Sequence, residues 1–374
     1  MRELAIYLHI PFCKQKCFYC DFNSFALKDY SEITQYVCAL KTDIKEQIDQ
    51  LNTLAVLKTI YFGGGTPSLL KPAEIESILS VLKKYFPLKN NCEITIEANP
   101  GTVSYSQLTG YKQAGVNRLS LGAQSFQDKY LKFLGRVHRS RDVLESLRSA
   151  RRAGFTNISI DLIYGLDRQD IRDWEKDLER FLKLDLEHIS FYDLKIEKGT
   201  RLYELRHTFK LTSQDMRSEM YQIGCEKLEN AGYSHYEISS FAKKNKESRH
   251  NQIYWKNEEY IGCGAGAYSY LAGKRFGKNK NVRAYIKNDF TNYDIERLDE
   301  AARINETIVL NLRLLSGFDL KDFFAKYTSE IVKAVSVKLD NLAGLGLIEK
   351  NETKYRLSKK GILFYDTVAG EILD

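Results

Sequence analysis

Nowhere does the chain carry an apolar run approaching the roughly 20 residues that a membrane-spanning helix needs. The opening ten residues are a short apolar stretch without a cleavage site, so no secretory leader is expected. Repeats and low-complexity linkers are missing too. Cysteine is scarce and oddly placed: of seven, three crowd into positions 13 to 20, and Cys38, Cys92, Cys225 and Cys263 are scattered. A secreted disulfide scaffold is denser and paired, so this usage predicts a reducing, cytoplasmic compartment and a metal role for the crowded trio. Charge of one sign is also lacking. The net +7 would suit an anionic ligand or an acidic membrane surface, and by itself establishes neither.

What is present is an ordinary globular composition, 43% hydrophobic and 28% charged. The 374 residues suit a large domain with an appendage. Strand-like segments at 4–10, 57–62, 93–97, 117–121, 157–161 and 188–192 alternate with amphipathic stretches at 31–51, 72–85, 104–114, 140–153 and 170–182. Pro72 suits a first helical turn, Ser104 with Gln107 reads as a capping box, and Gly115 and Gly154 stand where left-handed caps are wanted. Six such units predict a parallel sheet with helices outside it. Six falls short of the eight of a closed barrel, so the expected α/β fold is an open, partial (β/α)6 barrel over residues 1–235. A mixed segment, 236–300, extends it, and 301–374 reads as a small helical, winged-helix-like domain. Its candidate recognition helix carries Lys333 and Lys338 against Glu330 and Asp340, which argues against nucleic acid as a partner.

Cys13, Cys17 and Cys20 are the sharpest signal. Three thiolates within eight residues can wrap one iron–sulfur cubane from a single loop. A structural zinc site normally wants four ligands, and no fourth Cys or His stands at knuckle spacing. The loop follows the first strand, and chemistry in α/β barrels gathers at the C-terminal strand ends. The later strands end alike in polar or flexible groups: Gly63-Gly64-Gly65-Thr66, then Glu97, then Gln124 and Ser125, then Asp161, then Tyr192. A lone carboxylate in such a place says little; a whole set aimed at one mouth says much more.

The Cys-x-x-x-Cys-x-x-Cys loop preceded by Tyr7-Leu8-His9-Ile10-Pro11-Phe12, the Gly-Gly-Gly-Thr-Pro turn, Glu97-Ala98-Asn99-Pro100-Gly101, Leu134-Gly135-Arg136-Val137-His138 and Asp161-Leu162-Ile163-Tyr164-Gly165 together resemble the radical SAM superfamily. Within it the similarity is to the branch of oxygen-independent coproporphyrinogen dehydrogenases and their heme-chaperone relatives. The resemblance implies a [4Fe–4S] cluster on the three cysteines, with one iron open to S-adenosylmethionine (SAM). It further implies Gly64, Gly65 and Thr66 at the SAM amino group and Arg136 at its carboxylate. Glu97 and Asp161 would accept from ribose hydroxyls, with Gln124 lining the pocket and Tyr7 and Tyr19 beside cluster and cofactor.

Two activities share such a site: radical chemistry on a porphyrinogen, and carriage of heme to acceptor hemoproteins, respiratory ones among them. The dehydrogenases carry a further cysteine two residues after the third ligand, where this chain has Phe22, and a longer leading segment. The run His250-Asn251-Gln252-Ile253-Tyr254-Trp255 resembles the His-Asn-x-x-Tyr-Trp motif of the chaperones. The expectation is therefore a heme chaperone with His250 as axial ligand, Tyr254 and Trp255 as porphyrin faces, and Lys243, Lys244, Lys246, Arg249, Lys274, Arg275, Lys278 and Lys280 near the propionates. Taken without the resemblance, His250 is a partly buried polar residue, Trp255 is core and the lysines are a solvated face. Peripheral membrane contact, a homodimer, SAM cleavage and covalent heme attachment are left open.

Overall fold

The computed structural model describes residues 2–51 and 54–374. Six parallel strands lie side by side in chain order: β1 (Arg2–Ile10), β2 (Ala55–Gly64), β3 (Leu88–Ala98), β4 (Arg118–Gln124), β5 (Ile158–Tyr164) and β6 (His188–Asp193). Helices α1 (Tyr30–Asp49), α2 (Pro72–Tyr85), α3 (Tyr105–Ala114), α4 (Ser140–Arg152) and α5 (Ile171–Leu184) connect them. The expected partial barrel is the observed one. Gly115 and Gly154 take the left-handed φ of 115° and 85° after α3 and α4. The capping box is only half made. Ser104 accepts from the Gln107 amide, but the Gln107 side chain turns to the Ser68 and Leu70 carbonyls, which also accept from Tyr111 Oη.

The middle segment adds strands to both edges of this sheet. After α6 (Gln214–Asn230), β7 (Ser234–Glu237) and β8 (Ser240–Ala242) pair antiparallel beyond β6. Then α7 (Arg249–Trp255) leads to β9 (Tyr260–Cys263), which runs parallel to β1 on the opposite edge. β10 (Tyr268–Leu271), β11 (Lys274–Lys278) and β12 (Asn292–Arg297) continue outward from it, so the twelve-stranded sheet stays open between β12 and β7. The C-terminal lobe has its own core under α8 (Glu300–Leu312), α9 (Ser329–Gly344) and α10 (Tyr365–Leu373), with Ile304, Ile308, Val332 and Ile372 fully buried. Its three short strands, β13 (Phe318–Asp319), β14 (Ile348–Asn351) and β15 (Lys354–Leu357), pair in the order β13-β15-β14.

A buried parallel strand normally reads as a nearly continuous hydrophobic run. Here the strands alternate instead. Leu4, Ile6, Leu8 and Ile10, then Ile60 and Phe62, Ile94 and Ile96, Leu119 and Leu121, Ile160 and Leu162, Ile189 and Phe191 face the helices and are buried. The residues between them are polar: Thr59 and Tyr61, Thr95 and Glu97, Arg118 and Ser120, Ser159 and Asp161, His188 and Ser190. The inner wall of the barrel is therefore polar, which positions the site.

Candidate functional site

The loop carrying the cysteines is closed at its base before any metal arrives. Phe12–Cys13 pairs with Phe25–Ala26, the Leu27 amide donates to the Cys13 carbonyl at 2.8 Å, and His9 Nε2 lies 2.9 Å from the Asn23 carbonyl. Its middle is pinned from the other side of the mouth. The Phe18 amide donates to the Leu134 carbonyl at 3.0 Å, and the Phe18 ring lies so close over Gly135 that a Cβ there would come within 2.5 Å of it. The thiols are held individually. Thr66 Oγ1 donates to Cys13 Sγ at 3.4 Å, Arg136 Nη1 to Cys17 Sγ at 3.3 Å, and Cys20 Sγ lies 3.8 Å from Ser24 Oγ. Burial raises the Cys13 and Cys20 thiols, so the proton leaves when a cation replaces it. Among the described residues no three His, Cys, Asp or Glu side chains meet closely enough for a single metal ion. The three thiols stand at one mouth of the barrel, beside Thr66, Arg136 and Ser24.

Opposite the cysteines lies the glycine turn at the end of β2. The Gly65 amide donates to the Ile10 carbonyl at 2.8 Å, and a Cβ on Gly65 would stand 2.7 Å from the Phe12 carbonyl. Gly64 has φ 113°, and a Cβ there would strike the His9 ring at 2.6 Å. Only glycine brings the backbone this near the cysteine loop. Glu97 accepts from Tyr61 Oη at 2.8 Å and from the Gly64 amide at 3.2 Å, so it braces the turn as well as facing the cavity. Asn99, which sequence reasoning passed over, joins the two sides. It donates to Thr66 Oγ1 at 2.8 Å and accepts from Arg136 Nη2, which also donates to the Gly122 carbonyl at 2.7 Å. Among the described residues, Arg136 Nε has no hydrogen-bond partner, and it is buried. Gln124 ends β4 in a left-handed conformation, φ 66°, and Tyr7 Oη lies 3.1 Å from His9 Nδ1. Tyr19 shares a packed cluster with Phe18 and Leu134 and interacts with Arg136.

Deeper in the barrel, Asp161 pairs in register with Ser190, and the Ser190 and Ser120 hydroxyls favour its charged form. Burial lifts it to about 6, with the Arg118 guanidinium pulling the other way. Burial likewise lifts Glu97 to about 7, opposed by the Tyr61 hydroxyl. Arg118, 2% exposed and with Nε unpartnered, is the buried cation that balances both; it was not foreseen. The available signal was the period-two run of polar residues along the strands.

The Glu97 shift has a consequence for stability. Between about pH 4.5 and about pH 7 the ligand-free folded chain keeps a proton that the unfolded chain has lost. Stability drawn from this group is full below that window and falls as pH rises through it, by about 1.4 kcal/mol per pH unit. Urea melts of wild type and Glu97→Gln at pH 5 and pH 7.5 should show the variant gaining relative stability at the higher pH. Parallel behaviour of the two proteins would refute the assignment.

His250 is buried inside the barrel, beside Thr59 and Glu93. α7 enters the barrel from the end opposite the cysteines, and His250 is 1% exposed. Nδ1 lies 2.8 Å from Thr59 Oγ1, Nε2 lies 2.8 Å from Tyr254 Oη, and the backbone amide donates to Glu93. Its ring stacks on Tyr61 at 4.9 Å, and burial lowers it to about 3. Both nitrogens are engaged, so in this conformation His250 offers none to an iron. Tyr254 is spent on His250, and Trp255 lies under Arg313 at 4.1 Å. Most of the flanking cations are committed too: Lys243 to Asp185, Lys246 to the Thr156 carbonyl, Arg249 to the Lys58 and Asn91 carbonyls, Arg275 to Glu296 and Glu306, and Lys278, buried, to Asp43. His250→Ala should cost about 3 kcal/mol in urea denaturation, combining a cavity with two stranded hydroxyls. A loss under about 1 kcal/mol would mean that the His250 contacts are not structural.

Known proteins resemble this chain in sequence and in fold. The model described as the Radical SAM superfamily matches residues 7–181, and that of the HemN C-terminal domain matches 298–364. A Bacillus subtilis protein named Heme chaperone HemW is 38% identical over 381 aligned positions, covering 99% of both chains. The Escherichia coli protein of that name is 34% identical over 98% of this chain and 97% of its own. Among solved structures, Escherichia coli coproporphyrinogen III oxidase (HemN), a radical SAM enzyme, superimposes with a TM-score of 0.86 over 99% of this chain and 90% of that one. Its 22% identity makes that a likeness of fold alone. With these relatives along its whole length, the chain belongs to the HemW family of the radical SAM superfamily.

Proposed function

We propose that this protein is a heme chaperone, which binds heme and passes it to acceptor hemoproteins, with a SAM-ligated [4Fe–4S] cluster at the barrel mouth. One observation carries the reading: identity of 38% to a HemW over 99% of both chains. Cys13, Cys17 and Cys20 would hold the cluster, and the clamped loop, the close glycine turn and the unpartnered Arg136 Nε fit that group and its ligand. Gly64, Gly65 and Thr66 would take the SAM amino group, Arg136 its carboxylate, and Asp161 and Glu97 its ribose hydroxyls. Gln124, Tyr7 and Tyr19 would border the pocket. When bound, the cluster supplies a single-electron donor with an open iron; the chain's own residues seat SAM and limit its contact with water. Seven free cysteines fit a reducing compartment, in which we place the protein. Among the described residues, no helix is long and apolar enough to cross a membrane.

Radical chemistry on a tetrapyrrole is the competing activity, and Phe22, 64% exposed where the dehydrogenases have cysteine, weighs against it. The anaerobically reconstituted protein should bind heme, read as a saturable Soret change, and should not decarboxylate coproporphyrinogen in the presence of SAM and a reductant. Product formed at about 1 s⁻¹ or faster, an enzymic rate, would replace this reading with the dehydrogenase one.

A further inference from the structure

A heme chaperone needs a seat for a flat ring with two carboxylates, and the plug helix does not provide it. A cleft of about 1160 Å³ opens between α6, β7 and the C-terminal lobe, above the roughly 300–1,000 Å³ of most small-molecule sites. Tyr221 and Tyr236 give it aromatic surface, and Leu357 and Leu363 give apolar surface from the lobe side. Cys225 and His235 stand on the barrel wall of the same cleft. Cys225 follows Tyr221 by one turn of α6 and therefore shares its face. His235 stacks on Phe241 at 4.0 Å, which fixes the plane of its ring.

The hydrogen bonding of His235 differs from that of His250. Nε2 lies 3.3 Å from the Ile238 carbonyl and 3.5 Å from Tyr221 Oη, and Nδ1 lies 3.6 Å from a Glu229 oxygen. These are long contacts. A carbonyl or carboxylate holding one ring N–H while the other nitrogen binds metal is the usual support of a ligating histidine. Two cations on the rim, Lys256 and Lys359, have no carboxylate within salt-bridge distance among the described residues. Lys359 lies within electrostatic reach of Cys225.

We propose that this cleft, rather than the surroundings of His250, seats the heme, its iron ligated from the wall that carries Cys225 and His235 and its propionates met by Lys256 and Lys359. The proposal rests on the heme-chaperone reading. Ligation by His235 requires one ring nitrogen to give up its long contacts, Nδ1 that to Glu229 or Nε2 those to Ile238 and Tyr221; ligation by Cys225 exchanges its thiol proton for the iron, with no change of oxidation state.

Heme titration of the full-length protein tests it, with wild type, the Cys225→Ala/His235→Ala double variant and Ser316→Trp compared under one set of conditions. Ser316 is an exposed rim residue, so its replacement fills the cleft without touching the core. Circular dichroism melts check that each variant is folded. The double variant should lose at least about tenfold in affinity and shift the Soret maximum, and Ser316→Trp should weaken binding similarly. If wild type takes up no heme, the heme-chaperone reading itself fails and the cleft assignment with it. If wild type binds and folded Ser316→Trp binds equally well with an unmoved band, the cleft alone is overturned, whether or not the double variant folds.

Discussion

Protein bearing Cys20→Ala, reconstituted without oxygen, should hold less than one iron per chain where wild type holds about four, and its brown colour should go with the iron. All the thiolates in reach come from one loop. Of the remaining cysteines, Cys92 and Cys263 are buried in the core, Cys38 is exposed on α1 and Cys225 lies on α6, all outside the loop. The loop itself should persist, because its supports are the Phe12–Cys13 pairing, the Phe18 contact with Gly135 and the His9 contact with Asn23, none of which uses Cys20. Cluster loss with an unchanged melting temperature of the metal-free protein is therefore the expected pair of results. A full complement of iron in the variant, or zinc in place of iron in wild type, would refute the cluster assignment.

Gly65→Val should be about as damaging, for a different reason. A Cβ at Gly65 meets only backbone, at 2.7 Å and 3.0 Å, and backbone there cannot swing away as a side-chain tip can. Either β1 or the cysteine loop must move, at about 3 kcal/mol or more, the upper range for overpacking. Gly154→Ala is the useful contrast, since nothing lies within 4 Å of its Cβ and only its φ of 85° resists substitution. That variant should lose about 1 kcal/mol. Urea denaturation of both, with SAM binding measured for Gly65→Val, separates steric from conformational cost. Equal losses would show that the close approach of turn and loop is not as described.

The features legible in the sequence were local ones. Three cysteines in one loop declare themselves because their spacing is set by the chain and not by the fold. Pro72 begins α2, and the helix-capping glycines end α3 and α4, for the same reason: each needs only its own backbone. The strands were legible from their β-branched and aromatic content. What they faced was not: the sheet's inner polarity showed only once alternate residues were assigned to two faces. Arg118 and Asn99 were missed because their roles depend on partners far along the chain. The setting of His250 was hidden in the same way, since a histidine beside aromatics reads identically whether it lies on a surface or fills a barrel end. The pairing of β9 with β1, across some 250 residues, has no local signature at all.

The seven residues of α7 tie together regions that otherwise have separate cores. At one end His250 reaches Thr59 and Tyr61, and through Tyr61 the Glu97 carboxylate that braces Gly64. At the other end Trp255 lies beneath Arg313, just past α8, and Asn257 donates to Thr307 within it. Such a rivet means the C-terminal lobe is no detachable cassette: cutting it away would uncap Trp255, loosen the stopper, and be felt some distance off as a slackened bend beside the cysteine loop.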